Sequence, residues 1–67
     1  MTRDEHLKWA KARAMEYAER GELVNAINSL LSDLRKHDEL RHHPGILLGL
    51  SAAGSRHDCI HWIEGFA

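Results

Sequence analysis

The side chains of this sequence with the greatest capacity for chemistry are its six histidines, and their spacing decides what they can do. His57 and His61 are four residues apart, so on a helix they share a face and could reach one metal ion. His37, His42, His43 and Cys59 are the residues able to complete a tetrahedral set. No His-Glu-x-x-His or paired-cysteine spacing is present, and Cys59 points away from a His57–His61 face. The expectation is therefore surface or structural histidines and no cofactor, with His57 and His61 as the alternative metal pair. Asp33 and His37 form another i, i+4 pair, suited to a hydrogen bond on the surface of a helix end, where a cationic imidazole meets the negative pole of the dipole. Ser29, Ser32 and Ser51 have no base fixed beside them by local sequence. Gly45, Gly49 and Gly54 lack the spacing and the following Lys-Ser/Thr of a phosphate loop. The expectation is a protein that is not an enzyme.

Trp9 is the other residue that asks for an explanation. On a helical wheel it lies opposite the apolar stripe, with Arg13, Glu16 and Arg20 around it. A tryptophan there wants a cover, whether the chain's own tail, a second subunit or a partner. Arg13, one turn on, is placed to stack on its ring. Lys8, Lys11 and Met15 share a further face of the same helix, and Arg41 recurs 33 residues after Lys8. They form a solvated basic edge or, alternatively, a small anion clamp. Trp9, Arg13, Lys8, Lys11 and Met15 are thus the candidate contact with a partner or with another copy of the chain.

The elements that position these residues follow from local signals. Thr2 with Glu5 three residues later makes a capping box, and Leu7, Ala10, Ala14, Tyr17 and Ala18 fall on one face of a first helix that Gly21 stops. A second helix over Glu22–His37 carries Leu23, Val24, Ala26, Ile27, Leu30, Leu31 and Leu34 as a broad apolar stripe. The turn at Gly21 is so short that the two helices must pack antiparallel. Asp38 to Pro44 reads as a loop, Pro44 opens a short third helix over Gly45–Ala53, and Gly54 ends it. Ser55 with Asp58 caps a fourth helix that runs to about Phe66 and buries Cys59, Ile60, Trp62, Ile63 and Phe66.

These elements repeat. Gly21, Ala26 and Leu30 recur as Gly54, Cys59 and Ile63, each at an offset of 33, and Tyr17 recurs as Leu50. A period of this size marks a helix–turn–helix unit in which each copy covers the next. The segment Ala10 to Asp38 resembles one tetratricopeptide repeat. Ala10, Arg13, Ala14 and Tyr17 stand at its first-helix positions, Gly21 at its turn, and Ala26-x3-Leu30 in its second helix. Two residues depart from the pattern: Arg13 replaces an apolar residue and Asp33 a small one. The resemblance implies an all-α fold of two antiparallel helical hairpins, four helices in all, and peptide or protein binding.

Nearly the whole chain also resembles a family of short phage and prophage proteins. The segments EHLKW (5–9), AMEYAERGEL (14–23), SLLSDLRKH (29–37) and WIEGF (62–66) carry the likeness. It implies an accessory viral protein made in a bacterial cytoplasm, acting by binding a host enzyme, a defence component or a signalling molecule.

Composition bounds the rest. Sixty-seven residues, 1–67, make a single helical domain near the lower limit for one core, which favours self-association. The lone Cys59 cannot close an internal disulfide and suits a reducing, cytoplasmic setting. Nine basic and ten acidic residues give a net charge of −1, with no basic stripe for nucleic acid. The opening residues carry charge throughout and do not read as a signal peptide, and no apolar run is long enough for a bilayer. The expected partner is a host protein. The alternative is a sequestering or metal-dependent binder of a small molecule or anion, using the histidine-rich C-terminal half.

Overall fold

The computed structural model describes residues 2–42, 45, 46, 49 and 51–66, with the backbone alone at 51. These form three α-helices: α1, Arg3–Glu19; α2, Leu23–Arg35; and α3, Arg56–Glu64, preceded by a 3-10 turn over Ser51–Gly54. No strand occurs among the described residues.

The capping box at the start of α1 is present in both directions. The Glu5 N–H donates to Thr2 Oγ1 and the Thr2 N–H to Glu5 Oε1, each at 3.2 Å. Those bonds to Thr2 hold the Glu5 carboxyl below its ordinary value. At the other end Gly21 takes φ +79°. The Glu22 N–H reaches the Tyr17 carbonyl and the Gly21 N–H the Ala18 carbonyl, both at 3.0 Å. That pair of bonds is a Schellman motif, and it turns the chain back within three residues. Helix α2 then lies against α1 along Ala10, Ala14 and Ala18, all without exposed surface. Three alanines one turn apart let the two backbones approach closely.

Ala26, Leu30 and Leu34 of α2 meet Cys59 and Ile63 of α3 in the core, again with no exposed area. Ala26 with Cys59 and Leu30 with Ile63 are the pairs set 33 residues apart, so the offset is expressed in burial. Lys11 fastens α3 in place. Its ammonium donates to the Phe66 carbonyl at 2.7 Å and to the Glu64 carbonyl at 3.3 Å, satisfying carbonyls that the helix end leaves open.

The four-helix expectation is corrected here. The described part of Gly45–Ala53 is not an α-helix: Gly45 and Ile46 sit in one 3-10 turn and Ser51–Gly54 in another. Pro44 and Leu50 lie outside the described residues. The physical reason is glycine content and the demands of Trp62. An interior glycine costs a helix about 1 kcal/mol relative to alanine, and Gly49 stands mid-run, with Gly45 at its start. Trp62 Nε1 donates to the Gly45 carbonyl at 2.8 Å, and a Cβ on Gly49 would come within 3.2 Å of the Trp62 ring. The indole thus organises the segment in place of a helical ladder. Among the described residues, the second hairpin of the expected repeat is replaced by 3-10 turns, of which Ser51–Gly54 packs against α3.

Candidate functional site

The polar end of the α1–α2 hairpin gathers side chains that the chain order keeps far apart. Asp33 on α2 faces inward, its side chain only 2% exposed. Arg13 Nε lies 3.0 Å from Asp33 Oδ2, and Lys36 Nζ lies 3.4 Å from Oδ1. Two cations, Arg13 on α1 and Lys36 at the cap of α2, thus share one buried carboxylate. The Arg13 contact is close but out of line for a hydrogen bond, so Oδ2 has a charge partner and no aligned donor.

His6 closes the other side. It is buried on the first turns of α1, and its Nε2 faces the Asp33 carbonyl. A carbonyl only accepts, so Nε2 carries the proton. The His6 ring stands 5.3 Å from the Trp9 ring and 5.3 Å from that of His37. The Arg13 guanidinium lies over the Trp9 indole at 4.9 Å. Trp9 is partly buried against the core, with the Arg13 guanidinium over its ring and the His6 ring tilted beside it. Its cover is partly the chain's own, and one edge of the Trp9–Arg13 pair stays open to solvent.

The expected surface pair of Asp33 and His37 is corrected. Asp33 is spent on Arg13 and Lys36, while His37 turns its ring to His6 and accepts the Glu39 N–H at Nδ1, 3.2 Å away. Burial decides this. A carboxylate taken out of water must meet charge, and Arg13 across the hairpin offers it.

Of the other sequence candidates, Lys8 is exposed and Met15 packs partly against the core. Lys8 and Lys11 line a shallow hollow of about 300 Å³ with Leu7 and Asp4, but the Lys11 ammonium is committed to the end of α3. Arg41 pairs with Asp38 at 3.6 Å on the surface. His57 and His61 are both exposed with near-parallel rings 6.2 Å apart, and His57 lies 3.7 Å from the Asp58 carboxylate. Among the described residues no group of three or more His, Cys, Asp or Glu side chains is placed to hold a metal. His43 lies outside them. Cys59 is fully buried, and that burial pushes its thiol up.

Sequence reasoning missed His6, Lys36 and the inward turn of Asp33. The usable signal was the opposite charge of the two departures from the repeat pattern, Arg13 and Asp33. Comparison with protein-family models, with curated proteins and with solved structures gives no match to this chain.

Proposed function

We propose that this is a non-enzymatic binding protein that docks a partner protein on the outer face of the α1–α2 hairpin, with Trp9 and Arg13 at the centre of the contact. The observation that carries the reading is the arrangement of that pair. Trp9 is held by His6 and Arg13, and Arg13 is held by buried Asp33. Tryptophan and arginine dominate the energetics of protein interfaces, and side chains already fixed in one geometry lose less entropy on binding. Val24, 64% exposed on α2, adds aliphatic surface to the hairpin. The likeness to short phage proteins supports a host protein as the partner and the bacterial cytoplasm as the setting. No helix among the described residues is long and apolar enough to cross a membrane. The solvent-open edge of the Trp9–Arg13 pair supports self-association as a second use of the same face.

Affinity capture from bacterial lysate with the wild type and with Trp9→Ala tests the reading. Expected is a captured protein that the variant loses while circular dichroism shows nearly unchanged helix content. Capture that survives the substitution removes Trp9 from the contact. Sedimentation of the wild type as a strict monomer at high concentration removes the self-association.

A further inference from the structure

We infer that His57 and His61 form a two-ligand site for one divalent transition ion, tightest for Cu²⁺, with water in the remaining coordination positions. Both residues lie in α3, one turn apart, and both are exposed. Their rings stand 6.2 Å apart with planes only 8° from parallel. Two imidazoles are thus presented on one side of one helix. Rotation about χ2 of these exposed rings brings a nitrogen of each to the roughly 2.0–2.1 Å of an imidazole–metal bond.

The fold separates this pair from the histidines of the hairpin. His6 is buried with Nε2 donating to the Asp33 carbonyl, and His37 accepts the Glu39 N–H at Nδ1. Neither His57 nor His61 is spent on a hydrogen bond among the described residues, so their ring nitrogens remain available to a ligand. His57 Nδ1 lies 3.7 Å from the Asp58 carboxylate. A ring proton directed at that carboxylate leaves the Nε2 lone pair for the ion, the outer-shell arrangement that metal-ligating histidines commonly use.

The donor set selects the ion. Neutral imidazole suits Cu²⁺, Ni²⁺ and Zn²⁺, whereas Mg²⁺ and Ca²⁺ take oxygen ligands. Among the described residues no third His, Cys, Asp or Glu is placed to join the pair, so these residues do not close a tetrahedral zinc site. Two nitrogens completed by water suit the tetragonal preference of Cu²⁺, which also heads the affinity order of divalent ions. His61 stands in the last turn of α3, where the helix dipole favours a cation, and exposed Glu64 follows three residues on. The site uses no residue of the protein contact proposed above and stands or falls independently of it.

The test is calorimetric titration of the full chain with Cu²⁺, Ni²⁺, Zn²⁺ and Mg²⁺ at about pH 7.5, where free imidazole is mostly neutral. Expected is one Cu²⁺ per chain, weaker binding of Ni²⁺ and Zn²⁺, and none of Mg²⁺. His57→Gln and His61→Gln should each weaken Cu²⁺ about a hundredfold, because the second imidazole binds as an intramolecular partner of the first. Both positions are exposed, so the melting temperature of the metal-free variants should stay near that of the wild type. His42→Gln, at an exposed histidine not grouped with the pair, should leave the affinity unchanged. Cu²⁺ should raise the melting temperature of the wild type and not that of the doubly substituted chain. Affinity indifferent to both pair substitutions overturns the proposal. So does an equal loss with His42→Gln, or Mg²⁺ binding as tightly as Cu²⁺.

Discussion

Arg13 and Asp33, the two residues that depart from the repeat pattern expected from the sequence, are each other's partner, Nε to Oδ2 at 3.0 Å. The two departures are therefore one feature: a charge pair stands where the pattern has an apolar residue on one helix and a small one on the other. Removing one member of a buried pair costs about 3–5 kcal/mol, because the other is left uncompensated. Here Lys36 remains and the Arg13 side chain is 48% exposed, so Arg13→Met should cost less, about 1–3 kcal/mol. Asp33→Leu added to Arg13→Met should recover part of that loss. Urea denaturation of the single and double variants measures the coupling, and strictly additive losses would show that the pair is not an energetic unit.

Lys11 ties the middle of α1 to the end of α3 through the Glu64 and Phe66 carbonyls. Lys11→Met keeps the aliphatic stem and removes the donors. The expected cost is about 1–2 kcal/mol, concentrated in the last turn of α3. Hydrogen exchange should show faster opening around Ile63 to Phe66, with α1 and α2 little changed. Uniform acceleration across all three helices would place the role of Lys11 elsewhere.

Gly21 and Gly54 are equivalent in sequence and different in structure. Only Gly21 has positive φ, +79°, while a Cβ on Gly54 would meet Asp58 at an ordinary 3.7 Å. Gly21→Ala should destabilise the protein by about 1–2 kcal/mol through the left-handed strain. Gly54→Ala should be neutral or stabilise by about 0.5 kcal/mol through the unfolded chain. Thermal melts of the two variants distinguish a true geometric repeat, in which both suffer, from the single hairpin described here.

What the sequence made legible divides along the same line. Thr2 with Glu5, the stop at Gly21 and the cap at Ser55 act within a few residues, so their chemistry can be read locally and their elements begin and end close to expectation. The burial of Leu30 and Ile63 follows from periodicity alone. The segment after Pro44 does not, because its shape depends on the Trp62 indole reaching Gly45, 17 residues earlier in the chain. The polar cluster was hidden for the same reason. His6 and Asp33 are 27 residues apart, and only the closed hairpin shows that the carboxylate points inward. Trp9 was placed on the right helix and given Arg13 as its stacking neighbour, but the wheel could not show the His6 ring beside it.

Cys59 gives a pH dependence whose sign can be worked out. Burial among core residues pushes its thiol above the ordinary value. The thiolate therefore forms more readily in the unfolded chain than in the folded one. Below the unfolded thiol's pKa both states are protonated and the group makes no pH-dependent difference. Above it the unfolded state gives up its proton first, so stability falls as pH rises through the range above the unfolded thiol's pKa of about 8.5. Cys59→Ala removes that slope and matches the residue at the equivalent position, Ala26, at a packing cost of about 1 kcal/mol. Denaturation midpoints across this range should fall more steeply for the wild type than for the variant. A thiol-directed reagent should likewise label the native protein only as fast as the core opens, and lowering stability with Leu30→Ala should speed the labelling. Parallel pH profiles, or labelling at the rate of a free thiol, would mean that Cys59 is not sealed between α2 and α3.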